Sequence, residues 1–178
     1  MAVPESRVAS ESFEDLALPL FDRLYNFAHW LTQNRAEAED LVQETYAKAL
    51  KGFSSFQPGT NFRAWMYRIL RNNFLNSRAG LKAMPIAEEE SEKRDNLSAT
   101  QETPETILLG RLDQELVHKA IEELPVVYRE VLLFCEFEEM SYQEIAATIG
   151  VPIGTVMSRL SRARSNLRVI VRRLQGSG

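Results

Sequence analysis

The clearest alternation of apolar and polar positions lies near the C-terminus, in SYQEIAATIGVPIGTVMSRLSRARSNL, residues 141–167. Its first part places apolar side chains at i, i+3, i+4 and i+7, which is typical of one face of a short helix. Ser141 suits the N-cap, and Glu144 three residues later completes a capping box. Gly150 supplies a left-handed turn, and Pro152 suits the first turn of a second helix. The apolar face comprises Tyr142, Ile145, Ala146 and Ile149.

The second predicted helix has two contrasting faces, one apolar and one of small polar side chains. A small-residue face lets a helix enter the major groove of DNA, while flanking Arg and Thr side chains reach phosphates or base edges. The pattern predicts a helix-turn-helix that binds duplex DNA; the alternative is an ordinary hairpin with a solvated second helix. The apolar face is Val156, Leu160, Ala163 and Leu167, the small face is Gly154, Ser158, Ser161 and Ser165, and the flanks are Thr155, Met157, Arg159 and Arg162.

Two more helices are predicted before this motif. An apolar stripe at helical spacing runs up to Pro125, which marks the break before the next helix. The segment PVVYREVLLFCEF then indicates a buried helix, in which the single cysteine, Cys135, is a small apolar residue rather than a redox group. The stripe consists of Leu112, Leu116, Ala120, Ile121 and Leu124.

The N-terminal half contains a predicted helix, residues 61–80, in which basic and aromatic side chains alternate. Pro58 and Gly59 form its entry loop, and Thr60 suits its N-cap. The alternation suits single-stranded nucleic acid, because unpaired bases stack on rings and cations neutralise phosphates. The alternative is that most of the aromatic positions are core. The basic residues are Arg63, Arg68, Arg71 and Arg78, and the aromatic ones are Phe62, Trp65, Tyr67 and Phe74.

An earlier predicted helix, RAEAEDLVQETYAKALKGF, points Leu41, Val42 and Tyr46 inward. Its opposite face is polar. Solvation accounts for that face, and a contact with another protein is the alternative. The polar face comprises Glu37, Asp40, Gln43 and Glu44.

Charge divides the chain of 178 residues, whose formal net charge is −4. Residues 61–84 carry five basic and no acidic side chains, and residues 141–178 carry six basic and one acidic. Two such islands indicate two contacts with a polyanion. Between them, residues 88–106 are too polar to offset the entropy of ordering. We predict an all-α fold with a domain over 1–84, a flexible acidic linker over 85–110 and a helix-turn-helix domain over 111–178.

Several functions are disfavoured by what the sequence lacks. The longest apolar run, Leu16–Phe21, has six residues, whereas a membrane span needs about 20, so we expect a cytoplasmic protein. His29 and His118 are far apart with no Cys nearby, so no metal site is predicted. There is no nucleophile elbow, phosphate-binding Gly loop or HExxH pair. We therefore expect neither enzymatic activity nor a cofactor.

Four motifs in order, AEDLVQETYAKAL, FSSFQPGTNFRAWMYRILRNNFLN, LPVVYREVLLF and SYQEIAATIGVPIGTVMSRLSRARSNL, resemble the extracytoplasmic-function (ECF) sigma factors of bacteria. The resemblance covers residues 20–80 and 111–174. It implies a promoter-specificity subunit that binds core RNA polymerase and promoter DNA in a stress response, with an anti-sigma factor as a further partner. The linker resembles the segment that the family threads through the polymerase toward its active site.

The resemblance also implies residue roles. Asp40, Gln43 and Glu44 correspond to contacts with a coiled coil of the polymerase clamp. Asn72 corresponds to the reader of a flipped minus-ten base, beside a pocket formed by residues 56–61. The implied minus-ten residues are Phe56, Thr60, Asn61, Arg63, Trp65, Arg68, Arg71 and Asn72, and the implied minus-thirty-five residues are Thr155, Met157, Ser158, Arg159, Ser161 and Arg162.

One position departs from the family pattern, because many relatives carry Lys or Arg where this chain has Met157. The motifs GTN, AW, YRIL and GTVMSRL are also similar to a subset linked to oxidative stress and held by zinc-containing anti-sigma proteins. The alternative function is a stand-alone helix-turn-helix regulator that binds duplex DNA without polymerase. Its weakness is the first 84 residues, which offer a basic aromatic patch but no ligand-pocket or phospho-acceptor pattern.

Overall fold

The structure, a computed structural model, describes residues 12–79 and 114–177. Within these ranges every regular element is helical and no strand occurs, which confirms the predicted all-α fold. The chain divides into two compact units, Met1–Asn73 and Phe74–Gly178, and the division falls inside a helix. The predicted linker, residues 85–110, lies outside the described residues, as does Leu112.

The first unit is built from four helices and two short 3-10 turns. Its elements are α1 (Phe13–Ala17), a 3-10 turn (Leu18–Leu20), α2 (Phe21–Thr32), α3 (Arg35–Gly52), a second 3-10 turn (Phe53–Ser55) and α4 (Phe62–Ala79), whose last residues belong to the second unit.

Side-chain caps define where these helices begin. Asn34 caps α3, since its Oδ1 atom accepts from the Glu37 amide at 3.0 Å. At α4 the expected cap was wrong by one residue, because the Asn61 Oδ1 atom accepts from the Ala64 amide at 3.1 Å. The Thr60 hydroxyl instead donates to the Gln57 carbonyl at 2.7 Å and closes the preceding turn. A short side-chain acceptor at the N-cap satisfies one of the free amides of the first turn.

The core of the first unit lies between α2, α3 and α4. Tyr67 packs its ring edge-on against Phe27 with the ring centroids 5.1 Å apart, and both side chains are buried. Tyr67 is therefore a core residue, and it is not available to stack on a base. The other buried apolar residues of these helices include Leu24, Leu31, Leu41, Val42, Met66 and Leu70.

The second unit continues with four helices that include the predicted helix-turn-helix. They are α5 (Gln114–Glu123), α6 (Val126–Glu136), α7 (Tyr142–Ile149) and α8 (Ile153–Gly176). Ser141 caps α7 as predicted, accepting from the Glu144 amide at 3.1 Å. Gly150 ends α7 with φ of 73°, the left-handed conformation expected of it. Pro152 occupies the N-cap of α8.

A buried arginine joins α5 to α6. The Arg129 guanidinium donates to three backbone carbonyls, those of Ile121 (3.1 Å), Glu122 (2.8 Å) and Leu124 (2.7 Å). These carbonyls lie at the C-terminus of α5, where a cation is favoured because the carbonyls have no partner within the helix. Burial lowers the pKa of Arg129 from its usual value. The hydrogen bonds compensate for that burial and fix the corner between the two helices.

Most of the apolar positions predicted for this unit form its core, but Tyr142 is exposed and Leu116 is only half-buried. Val156, Leu160, Ala163 and Leu167 of α8 are all buried, and α8 packs against α5, α6 and α7. The predicted helix-turn-helix is therefore a supported hairpin in which α8 turns its other face outward.

Candidate DNA-binding and protein-binding surfaces

The polar face of α3 is solvent-exposed as the sequence predicted. Asp40, Gln43 and Glu44 are all exposed, while their neighbours Leu41 and Val42 are buried. These three residues, here called the acidic face, form a continuous surface on a helix whose opposite side is fixed in the core. Such a surface is available to another protein at little cost to the fold.

An exposed apolar surface on the same unit was missed by the sequence analysis. Leu50 is 59 % exposed on α3, and Phe21 of α2 is 46 % exposed. Between them lies Tyr46, whose ring centroid is 5.8 Å from that of Phe21 and whose hydroxyl donates to the Ala17 carbonyl at 2.6 Å. Burial, helped by Asp22, raises the pKa of Tyr46 to about 12, so this hydroxyl stays a donor. Leu50 follows Tyr46 by four residues, and that spacing was the signal in the sequence.

The entry loop of α4 is held by an aromatic cluster. Phe56 lies with its ring centroid 5.2 Å from that of Trp65 and 5.3 Å from that of Phe62. Phe62 is buried, as the core alternative proposed, whereas Phe56 and Trp65 are only half-buried. Gly59 takes φ of 88° in the loop, a conformation that glycine adopts without strain. The loop is thus attached to the helix through ring contacts, while part of the Phe56 and Trp65 side chains stays exposed.

The outer face of α4 brings several of the predicted minus-ten residues into one line. Asn61, Trp65, Arg68 and Asn72 are spaced by four, three and four residues, so they share one side of the helix. We call these four residues the outer line of α4. Asn61, Arg68 and Asn72 are exposed and Trp65 is half-buried. This line contains a ring, a cation and amide groups, which together can stack on, neutralise and hydrogen-bond an unpaired nucleotide.

The other predicted minus-ten residues flank this line. Thr60 is exposed in the entry loop, and Arg63 and Arg71 are half-buried on α4. Tyr67 and Phe74, in contrast, are buried. Of the four aromatic residues that the sequence analysis named on this helix, only Trp65 keeps part of its surface accessible.

The outward face of α8 carries most of the predicted minus-thirty-five residues. Met157 and Ser158 are exposed, and Thr155, Ser161 and Arg162 are half-buried. Gly154 is exposed, and a Cβ atom there would meet nothing within 4 Å. Because Gly154 and Ser158 are small, the backbone of α8 can come close to another molecule on this side.

Arg159 does not lie on that surface, contrary to the sequence-based expectation. Its side chain is only 4 % exposed, and its buried Nε atom has no hydrogen-bond partner among the described residues. The reason is helical spacing: Arg159 follows Val156 by three residues and precedes Ala163 by four, which places it beside the apolar stripe. Arg159 is therefore a boundary residue of the core.

A second arginine of α8 is held by α6. The Arg164 Nη2 atom lies 3.4 Å from the Glu136 Oε1 atom and 3.8 Å from the Cys135 Sγ atom. Burial, and then Glu136, raises the pKa of the Cys135 thiol to about 11. The thiol is thus protonated at neutral pH and a poor nucleophile, in line with a packing role.

The described residues form neither a metal-binding cluster nor a membrane-spanning helix. Within 12–79 and 114–177, no three His, Cys, Asp or Glu side chains are placed to hold a metal ion. None of the helices in these ranges is both long and apolar enough to cross a membrane.

Comparison with known proteins matches both units. The family described as Sigma-70 region 2 matches residues 19–83, and the one described as Sigma-70, region 4 matches residues 114–167. ECF RNA polymerase sigma factor EcfG of Rhodopseudomonas palustris is 35 % identical over 162 residues, which are 91 % of this chain and 86 % of that protein. The chain belongs to the ECF RNA polymerase sigma factors. Region 2 accordingly contains the acidic face and the outer line of α4, and region 4 contains the helix-turn-helix.

Further relatives support the assignment. ECF RNA polymerase sigma factor SigE of Mycolicibacterium smegmatis is 37 % identical over 168 residues. The match covers 91 % of this sigma factor but only 62 % of SigE. Among solved structures, sigma factor RpoE of Bartonella quintana, in complex with the anti-sigma factor NepR, is 31 % identical with a TM-score of 0.66. That match covers 89 % of this chain and 98 % of the RpoE chain.

Inside region 2 of this sigma factor, a partly buried polar bridge joins α3 to α4 through Lys48, whose own side chain is about half exposed. The Lys48 ammonium donates to the Asn73 Oδ1 atom at 2.7 Å and pairs with the Glu44 carboxylate at 3.0 Å. The Asn73 amide donates to the Thr45 hydroxyl at 3.4 Å, and that hydroxyl donates to the Leu41 carbonyl at 2.7 Å. Asn73 and Thr45 are buried. The bridge therefore connects the acidic face directly with the residue next to Asn72.

Lys48→Met tests the bridge, because it leaves the buried Asn73 Oδ1 atom without its charged donor. We expect region 2 to lose about 1–3 kcal/mol of unfolding free energy. The double variant Lys48→Met with Asn73→Leu should lose less than the sum of the two single variants, since paired apolar groups replace paired polar ones. Both tryptophans, Trp30 and Trp65, lie in the first unit, so urea unfolding followed by tryptophan fluorescence reports on it.

The matched control is Lys51→Met on the same helix, where the lysine is exposed and the change should stay within about 0.5 kcal/mol. Strictly additive losses in the double variant would show that Lys48 and Asn73 do not act as a pair.

Proposed function

We propose that this sigma factor binds core RNA polymerase and directs it to specific promoters through two DNA contacts. Region 2 opens and reads the minus-ten element, and region 4 binds the duplex minus-thirty-five element. The observation that carries the proposal is the outer line of α4, where Trp65, Arg68 and Asn72 share one accessible face. A duplex-only regulator has no use for a stacking ring and a base-reading amide together, because paired bases hide their Watson–Crick edges.

The acidic face is proposed as the polymerase contact. Asp40, Gln43 and Glu44 are exposed on a helix that is anchored on its other side. Carboxylates on a rigid helix suit a basic partner surface, and the apolar surface around Leu50 adds area that an interface can bury.

The DNA contacts are proposed residue by residue. In region 4 the contacts are Thr155, Met157, Ser158, Ser161 and Arg162, whereas the buried Arg159 is left out. In region 2 the base-reading role falls to Asn72. The supporting residues in region 2 are Phe56, Thr60, Asn61, Arg63, Trp65, Arg68 and Arg71.

We propose further that the sigma factor has no reaction of its own and acts in the cytoplasm, together with the polymerase. The solved complex of RpoE with NepR supports an anti-sigma factor as a regulatory partner of this chain as well. Such a partner would control when the polymerase receives the sigma factor.

The finer proposal is that this sigma factor belongs to the oxidative-stress-related subset, on the likeness of its GTN, AW, YRIL and GTVMSRL motifs. Transcription from its promoters should then rise when its host is treated with a thiol oxidant such as diamide. A response to heat but not to diamide would place it in a different subset.

The polymerase contact is tested by Asp40→Ala combined with Glu44→Ala. We expect the two carboxylates to include a hot spot, whose truncation costs about 2 kcal/mol or more, so the Kd for core polymerase should rise at least about tenfold. Fluorescence anisotropy of labelled sigma factor titrated with core polymerase measures this. The control, Glu115→Ala with Glu122→Ala, removes two exposed carboxylates from region 4. Equal Kd values for the two double variants would remove the acidic face from the interface.

The promoter function is tested by Asn72→Ala, a change at an exposed position that leaves the core intact. Binding to a duplex minus-thirty-five fragment should be unchanged, because no flipped base is involved. Open-complex formation by the holoenzyme should fall by an amount equivalent to about 1–3 kcal/mol, the usual value of a base contact. Permanganate footprinting on matched promoters measures the opening.

A pre-melted bubble separates reading from melting in the same experiment. Because its strands are already separated, the Asn72→Ala holoenzyme should form the complex on it as well as the parent does. The preference for one base at the affected position should still be lost. Asn76→Ala, one turn further along α4 and also exposed, is the control. Normal melting with intact base preference in the Asn72→Ala protein would contradict the assignment.

A further inference from the structure

Two large apolar side chains are exposed at the beginning of α8. Ile153 is 40 % exposed and Met157 is 54 % exposed. They are four residues apart, so they are neighbours on the same side of the helix. The core of region 4 does not use them, because the stripe from Val156 to Leu167 already faces inward and is buried. We call Ile153 and Met157 the apolar pair.

The apolar pair lies beside a polar row on the same helix. Gly154, Ser158 and Arg162 follow one another at four-residue spacing, and the first two are exposed. Nothing would lie within 4 Å of a Cβ atom at Gly154, so no neighbouring side chain covers the helix backbone here. The apolar pair therefore stands out from a surface that can come close to a ligand.

The position of the pair in the helix indicates which part of DNA it would meet. In a helix-turn-helix, the N-terminal residues of the second helix contact base edges in the major groove. Ile153 is the first residue of α8, and Met157 lies one turn later. Neither side chain is a useful hydrogen-bond partner for a base edge or a phosphate. In the major groove, thymine alone presents an apolar group, its 5-methyl.

We propose that Ile153 and Met157 read the 5-methyl groups of thymines in the minus-thirty-five element. The inference rests on the proposed contact of region 4 with duplex DNA and names the chemistry of that contact. DNA is favoured over a protein as the occupant because the surrounding segment, residues 141–178, contains six arginines and a single acidic residue, and two of those arginines, Arg168 and Arg172, are exposed on α8. A guanine, cytosine or adenine edge facing the pair would lose hydrogen bonds to water without replacement, so the pair also selects against those bases.

The test replaces thymine by deoxyuridine, which removes the methyl group and keeps every hydrogen-bonding edge. The duplex is the tightest minus-thirty-five sequence that the holoenzyme selects from a random library, with each thymine of the element replaced in turn. Burying one methyl group contributes about 0.8 kcal/mol, so replacement of a contacted thymine should weaken binding about fourfold. Replacement outside the element should have no effect.

Protein variants connect the effect to the pair. For Met157→Ala, deoxyuridine at the thymine that Met157 contacts should cause no further loss, because the partner of the methyl group is already gone. Ile153→Ala should do the same at a neighbouring thymine. The control Asn166→Ala, at an exposed position of α8 that is not among the proposed contacts, should keep the full fourfold sensitivity.

Three results would overturn the inference while leaving the proposed function standing. One is sequence-specific duplex binding in which no deoxyuridine replacement changes the Kd. Another is a Met157→Ala protein that stays as sensitive to deoxyuridine as the parent. The third is a Met157→Ala protein that loses affinity for core polymerase but not for DNA, which would make the pair a protein contact. Absence of any sequence-specific duplex binding would instead contradict the proposed function itself.

Discussion

The hydrogen bond between Lys48 and Asn73 fixes the rotation of α4 on which the base-reading surface depends. Asn73 is buried, and a buried amide without partners would cost about 1–3 kcal/mol. Its partners Lys48 and Thr45 both belong to α3, so Asn73 is satisfied in the same rotation of α4 that buries Met66 and Leu70. Successive helix residues point about 100° apart. Holding Asn73 inward therefore turns Asn72 outward, and the same Lys48 pairs with Glu44 of the acidic face.

Along α4 the same constraint separates core aromatic residues from accessible ones, which the sequence could not do completely. Tyr67 and Phe74 are buried, whereas Trp65 is half-buried over the entry loop. In the sequence all of them are aromatic residues in a basic helix, and periodicity alone leaves open which side of the stripe each one occupies. The exposure of each ring depends on its partner outside α4. Tyr67 packs against Phe27 of α2, and Trp65 packs against Phe56 of the entry loop. Tertiary partners of this kind are not encoded in local spacing.

Capping residues and apolar periodicity, by contrast, predicted local structure correctly, because both depend on residues that are close in sequence. Ser141, Gly150 and the apolar stripe of α8 take the roles that capping and periodicity predicted. Two predictions were wrong, the N-cap of α4 and the exposure of Arg159. Thr60 and Asn61 are both good N-cap residues. The Thr60 hydroxyl donates to the Gln57 carbonyl, and Asn61 is the residue that caps α4. Arg159 was expected outside because it is charged, yet a long aliphatic stem can lie along a core boundary while the head reaches its edge.

A chain with a net charge of −4 can present DNA-binding helices because exposed charges act over short distances. At physiological ionic strength their interaction is screened within about 8 Å, which is shorter than α8 itself, a helix of 24 residues. A phosphate near the outer face of α8 therefore responds to the arginines of that helix and little to acidic residues elsewhere. Arg164 pairs with Glu136 and Arg159 is buried, so these two arginines add little charge to the outer face, whereas Arg168 contacts Ser165 of the small face at 3.4 Å. Attraction to phosphate thus comes from few charges, and discrimination between sequences falls to the uncharged side chains beside them.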